Sequence, residues 1–126
     1  MKNHIFVILI MLSFNFYGQE KICSNFKTGK FQYADLKYKD WKISRNDSIQ
    51  IELNTKTRLK LYNSIVWKSD CEFVLTCYKA LNTNVPEDFV GKIFHIEITE
   101  TFNNGYYCIA KNKDIDDMHL KILKVK

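Results

Sequence analysis

Leu59-Lys60-Leu61-Tyr62-Asn63-Ser64-Ile65-Val66-Trp67-Lys68-Ser69-Asp70-Cys71-Glu72-Phe73-Val74-Leu75-Thr76-Cys77-Tyr78 is the stretch whose reading decides the fold. Leu59, Leu61, Ile65 and Trp67 fall on one side of an extended chain, with Arg58, Lys60, Ser64 and Lys68 on the other. Beyond Lys68-Ser69-Asp70 the alternation resumes, with Cys71, Phe73, Leu75 and Cys77 on one face against Glu72, Thr76 and Tyr78. Period two on both sides of a short polar break predicts two antiparallel strands with one buried face.

The same periodicity extends outward in both directions. Upstream, Phe26 to Tyr33 carries Gly29, a point where a strand can bend or another backbone approach. Leu36 to Ser44 and Ser48 to Leu53 form a second strand pair around Arg45-Asn46-Asp47. A three-residue turn there sets Ile43 beside Ile49 and Trp41 beside Ile51, leaving Gln50 and Glu52 outside; a shift of one residue would reverse the faces. Downstream, Leu81 to Gly91 is the longest irregular stretch and holds Pro86 and the pair Glu87-Asp88. Lys92 to Glu100 alternates again, with Phe94, Ile96 and Ile98 inward. Phe102-Asn103-Asn104-Gly105-Tyr106 is a turn, with Gly105 in the left-handed position of a three-residue loop. That register places Ile98 beside Ala110 and Glu97 beside Lys111. After Asp114, Ile115, Met118, Ile122 and Val125 keep helical spacing while Leu120-Lys121-Ile122 alternates, so the tail is a short helix or a final strand. The sum is an all-β domain of seven or so antiparallel strands.

The chain has 126 residues, room for one domain. Met1-Lys2-Asn3-His4 followed by the apolar run Ile5 to Phe16 and polar Gln19-Glu20 has the layout of a secretory signal. Residues 1–18 are read as the signal peptide, cut after Gly18, and residues 19–126 as the β domain. The apolar run is shorter than the roughly 18–20 residues of a spanning helix. The expected product is therefore exported, periplasmic or secreted, with no stable membrane span. Nineteen Lys and Arg face 14 Asp and Glu. Only Arg45 and Arg58 are arginines, and the lysines are dispersed, which argues against nucleic acid as a partner.

Four cysteines, Cys23, Cys71, Cys77 and Cys108, follow the leader, and an even number in an oxidising compartment predicts disulfides. Cys71 and Cys77 stand six residues apart on one strand face, roughly 20 Å, too far to bond each other. Cys23 with Cys71 and Cys77 with Cys108 is the preferred pairing, the crossed one the alternative.

Candidate chemistry is sparse. His95 and Glu97 share an outward face, but a metal site needs three or four converging ligands, so no metal and no cofactor is expected. Asp70 and Glu72 flank Cys71 at a spacing that places two carboxyls roughly 6–7 Å apart, the remote basis for a small hydrolase. Capping of the hairpin accounts for them more simply. Arg45, Gln50 and Glu52 make a polar set on the second hairpin, read as a salt bridge of Arg45 or a lysine with Glu52. There is no phosphate loop, nucleophile elbow or Cys-x-x-Cys, so no enzyme is predicted. Phe31, Trp41, Trp67, Phe73 and Phe94 fall on inward faces, where they fill a core or line a cavity for a small apolar ligand.

Gly29-Lys30-Phe31, Ile43-Ser44-Arg45, Gln50-Ile51-Glu52 and Val66-Trp67-Lys68-Ser69-Asp70-Cys71-Glu72-Phe73 together resemble a group of small exported bacterial proteins without assigned activity. Arg45, Gln50, Glu52 and Asp70 belong to its polar signature. Members are sometimes labelled DNA topoisomerase IV, a label at odds with so short a chain behind an export signal. The resemblance implies a lipocalin-like, calycin-type fold: one antiparallel meander sheet curled into a barrel or half-barrel of about seven to eight strands. Lipocalins carry Gly-x-Trp on the first strand, covered by a later Arg; here Gly29-Lys30-Phe31 has Phe for Trp, and Arg45 or Arg58 would be the cover. The expected function is a non-catalytic binding module for a small hydrophobic molecule or an envelope protein. A structural or inhibitor-like envelope protein with a solid core is the alternative.

Overall fold

Every strand of the chain pairs with its sequence neighbours, and the last pairs with the first. In the computed structural model, which describes residues 21–126, eight antiparallel strands form a closed barrel. They are β1 (Gly29–Tyr33), β2 (Trp41–Arg45), β3 (Ile49–Asn54), β4 (Lys60–Ser69), β5 (Glu72–Leu81), β6 (Ile93–Phe102), β7 (Gly105–Asn112) and β8 (Ile115–Val125). The meander is thus a full barrel rather than a half-barrel, and among the described residues no strand edge is left unpaired. The proposed leader and its cut site lie outside the described residues.

The hairpin predicted from period two is β4–β5, with Ile65 opposite Leu75 and Trp67 opposite Phe73. Inward Phe73, Leu75, Ile96 and Ile98 are buried, as the alternation predicts. The tail is a strand, not a helix: β8 pairs with β7 through Cys108–Leu120 and with β1 through Gln32–Leu123. The helical spacing of its apolar residues is incidental, because closure requires a partner for β1 on its free side.

Three local expectations are corrected. Leu36–Tyr38 is a short 3-10 turn rather than strand, held by the Asp35 carboxylate accepting from the Lys37 amide. The β2–β3 register sets Ile43 opposite Glu52 and Arg45 opposite Gln50, so Gln50 and Glu52 face inward while Ile49 and Ile51 lie half-buried outside. The turn is fixed locally by the Asn46 side-chain oxygen, which accepts from the amides of Ser48 and Ile49. In the β6–β7 hairpin Phe102 lies opposite Gly105, and a bulge between Ile98 and Glu100 then sets Ile96 opposite Ala110 and Glu97 opposite Ile109. Gly105 is not left-handed. Glycine is needed because a Cβ there would overlap the Ile122 carbonyl oxygen on β8.

The two ends of the barrel differ. At the end holding the β2–β3, β4–β5 and β6–β7 turns, a 3-10 turn at Cys23–Phe26 plugs the interior, with Cys23 and Phe26 fully buried. The plug is tied to the β4–β5 turn by the Cys23–Cys71 disulfide and by Lys27–Asp70 at 2.8 Å. Lys124 Nζ donates to the Asn25 carbonyl at 2.8 Å. The opposite end carries the Leu81 to Gly91 loop, whose 3-10 turn spans Pro86–Asp88.

Candidate functional site

The β2–β3 register turns a polar set into the barrel, and the site is built on it. Arg45, at the end of β2, is buried and donates through Nε to Gln50 Oε1 at 2.7 Å. Its Nη1 donates to the Phe26 carbonyl and its Nη2 to the Tyr106 hydroxyl, both at 2.8 Å. The guanidinium lies 4.4 Å from the Phe31 ring centre and 4.9 Å from that of Phe73. A planar cation fits such a slot, bonding in its plane and stacking on its faces. Arg45, not Arg58, is therefore the arginine that covers Phe31. It also ties the barrel wall to the plug.

Above this layer the barrel is hollow. A cavity of about 140 Å³ is walled by apolar side chains, among them Leu61, Phe73, Leu75, Phe94, Ile96 and Leu120. Phe89 of the Leu81–Gly91 loop and Lys92 stand on its side nearer that loop. Its polar lining includes Arg45, Gln50, Glu52, Asn63, Tyr33 and Tyr106, with two thiols, Cys77 and Cys108.

Of the five aromatics expected to line a cavity, Phe73 and Phe94 do so. Phe31 is instead packed under Arg45, and its ring meets Tyr106 edge-on. Trp67 packs on Phe73 at 4.6 Å in the sealed end, with Lys27 Nζ 5.1 Å from its ring. Its indole N–H is buried with no hydrogen-bond partner among the described residues. Trp41 is half-buried at the far end of β2 and does not reach the cavity.

The expected salt bridge to Glu52 is absent among the described residues, since Arg45 is committed to Gln50, Phe26 and Tyr106. Glu52 instead accepts a 2.6 Å hydrogen bond from the Tyr33 hydroxyl through Oε1. Burial pushes the Glu52 carboxyl above its ordinary range, against the opposing pull of the Tyr33 bond and the Arg45 charge. Burial and then the Glu52 charge raise Tyr33 well above the usual phenol value. Tyr106 is raised by burial too, which outweighs the nearby Arg45 charge.

Cys23 and Cys71 are bonded as preferred, but Cys77 and Cys108 are separate thiols. Cys77 is level with Lys92 at the start of β6, whereas Cys108 pairs with Ile98. Six residues of strand, roughly 20 Å, separate those levels, far beyond disulfide reach. Burial pushes the Cys108 thiol up to about 12 and raises Cys77 as well.

Asp70 pairs with Lys27 in the sealed end, away from His95. Glu72, His95 and Glu97 border a shallow outer depression with Lys68 and Lys111. The carboxylate pair considered for hydrolysis is thus not gathered in a cleft. Among the described residues no three His, Cys, Asp or Glu side chains are grouped to hold a metal, and no helix is long and apolar enough to cross a membrane.

Sequence reasoning placed Glu52 and Gln50 outside and did not single out Tyr33, Asn63 or Tyr106. One signal was available: Asn63 shares the inward phase of Leu61 and Ile65. No family model, curated protein or solved structure matches the chain.

Proposed function

We propose that the protein is an exported binding module that holds a small, mainly apolar molecule in the hollow half of its barrel. The observation carrying this reading is the cavity itself, apolar in most of its wall and lined by a few convergent polar groups. Eight strands enclose an interior just wide enough to be filled by side chains or to hold one small ligand. Here the sealed half does the first and the other half does the second.

Size narrows the occupant. The cavity of about 140 Å³ is close to the ~150 Å³ of an engineered apolar void that takes up benzene. It is well below the roughly 300–1,000 Å³ of sites for drug-sized ligands. A single ring or a short branched chain fits; a long acyl chain does not, unless the loop carrying Phe89 moves. Export is supported by the Cys23–Cys71 disulfide, a bond that persists in oxidising compartments.

Native mass spectrometry of the exported chain, purified without organic solvent, tests both parts. The expected spectrum shows an added small mass and a chain lighter by the two hydrogens of one disulfide. A bare chain that takes up no single-ring compound on titration would end the binding reading.

A further inference from the structure

The cavity holds one carboxyl, and one of its oxygens is open to the cavity. Glu52 Oε1 accepts from Tyr33 at 2.6 Å, while Oε2 has no hydrogen-bond partner among the described residues. A carboxylate can accept about four hydrogen bonds, so Oε2 has capacity for a donor that enters the cavity. The protein's own cations do not supply the missing donor. Arg45 spends its Nε, Nη1 and Nη2 on Gln50, Phe26 and Tyr106, and Lys92, which also lines the cavity, makes no ion pair with Glu52. The rings of Phe73, Phe89 and Phe94 line the same cavity, and aromatic rings accept a cation as well as an apolar body.

We infer that the ligand is a small amine, its ammonium donating to Glu52 Oε2 and its single-ring or short-chain body packed on Phe73, Phe94 and Leu120. This rests on the binding reading above and names its ligand class. A neutral ligand leaves the second oxygen short of a charged donor. An anion would share the cavity with the Glu52 carboxyl, although Arg45 and Lys92 also line it. Benzoate is therefore the rival to be beaten.

The test uses the whole disulfide-bonded chain and three compounds of one shape: benzylamine, benzyl alcohol and benzoate, titrated calorimetrically at neutral pH. Benzylamine is expected to bind about tenfold tighter than benzyl alcohol, the difference between a charge-assisted and a neutral hydrogen bond, with benzoate weakest. In Glu52→Gln the amine and the alcohol should bind alike. Benzoate ranking first, the alcohol matching the amine in the unaltered chain, or an amine advantage that survives Glu52→Gln would each overturn the inference. If Glu52→Gln does not fold, the ranking in the unaltered chain decides alone. Alkylation of Cys77 keeps the two readings apart. Benzyl alcohol that binds and slows it, without an amine preference, removes only the amine. Three compounds that neither bind nor slow it remove the cavity reading as well.

Discussion

The sealed and hollow halves of the barrel are built from the same eight strands, yet they spend their inward residues differently. In the sealed half Phe26, Phe31, Ile98 and Tyr106 are almost wholly buried, and every hydrogen-bonding direction of Arg45 in use meets a protein partner. In the hollow half Glu52 keeps an unused oxygen and the apolar side chains face empty space. The contrast teaches where stability resides. A filled layer, bonded through Arg45, holds the barrel shut, and that allows the layer above it to remain open.

Breaking the sealed half should therefore cost most. Arg45→Ala would leave Gln50 Oε1, the Phe26 carbonyl and the Tyr106 hydroxyl unpaired and would strip Glu52 of its nearest compensating charge. The expected loss is about 3–5 kcal/mol in denaturant unfolding. A loss no larger than that of an ordinary surface change, under about 0.5 kcal/mol, would mean the arginine does not hold the plug.

The disulfide comes next. Cys23 and Cys71 are separated by 48 positions, and closing such a loop stabilises by about 4 kcal/mol on the entropy model, with 2–4 typical. The double variant Cys23→Ser, Cys71→Ser should lose that much. Because Phe26 stays anchored by Arg45, the barrel should remain closed and cooperative in unfolding. Loss of a cooperative transition would show that the plug depends on the covalent tie alone.

The hollow half should respond in access more than in stability. Phe89→Ala is expected to cost no more than about 1 kcal/mol, since the ring is only half-buried. It should nevertheless speed alkylation of Cys77, which lies at the level of Lys92, while leaving Cys108 slow at the level of Ile98. Peptide mapping after timed alkylation reads both thiols. Equal acceleration of the two would imply that the barrel opens as a whole rather than at its loop end.

This division also explains what could be read from residues alone. β4, β5 and β6 were legible because their apolar groups keep to one face, and a filled interior accepts only that pattern. β3 was not. Ile49, Ile51 and Leu53 look like an inward row and Gln50 and Glu52 like an outward one, but the register runs the other way. A hollow interior departs from the usual rule, since polar Gln50 and Glu52 form part of its wall. The plug at Cys23–Phe26 was illegible for another reason. Four residues carry no periodicity, and only Cys23 hinted at where they attach.

The smallest effect separates a functional carboxyl from a structural one. Burial raises the Glu52 carboxyl in the folded chain, so the folded state holds its proton more tightly than the unfolded chain does. The stabilisation this confers is complete below the unfolded value and is lost as pH rises through the higher folded value. Glu52→Gln keeps an oxygen for Tyr33 and removes the titration. Its unfolding free energy relative to the unaltered chain should therefore climb as pH rises from the unfolded carboxyl value through the higher folded one, with the contributions of the other carboxylates cancelling in the difference. At neutral pH the variant should be the more stable of the two. On the proposed binding reading, what the carboxylate binds offsets that cost. A difference that stays flat with pH, or that turns in favour of Glu52, would mean that the carboxylate is already paired in the empty barrel, leaving no oxygen waiting for an amine.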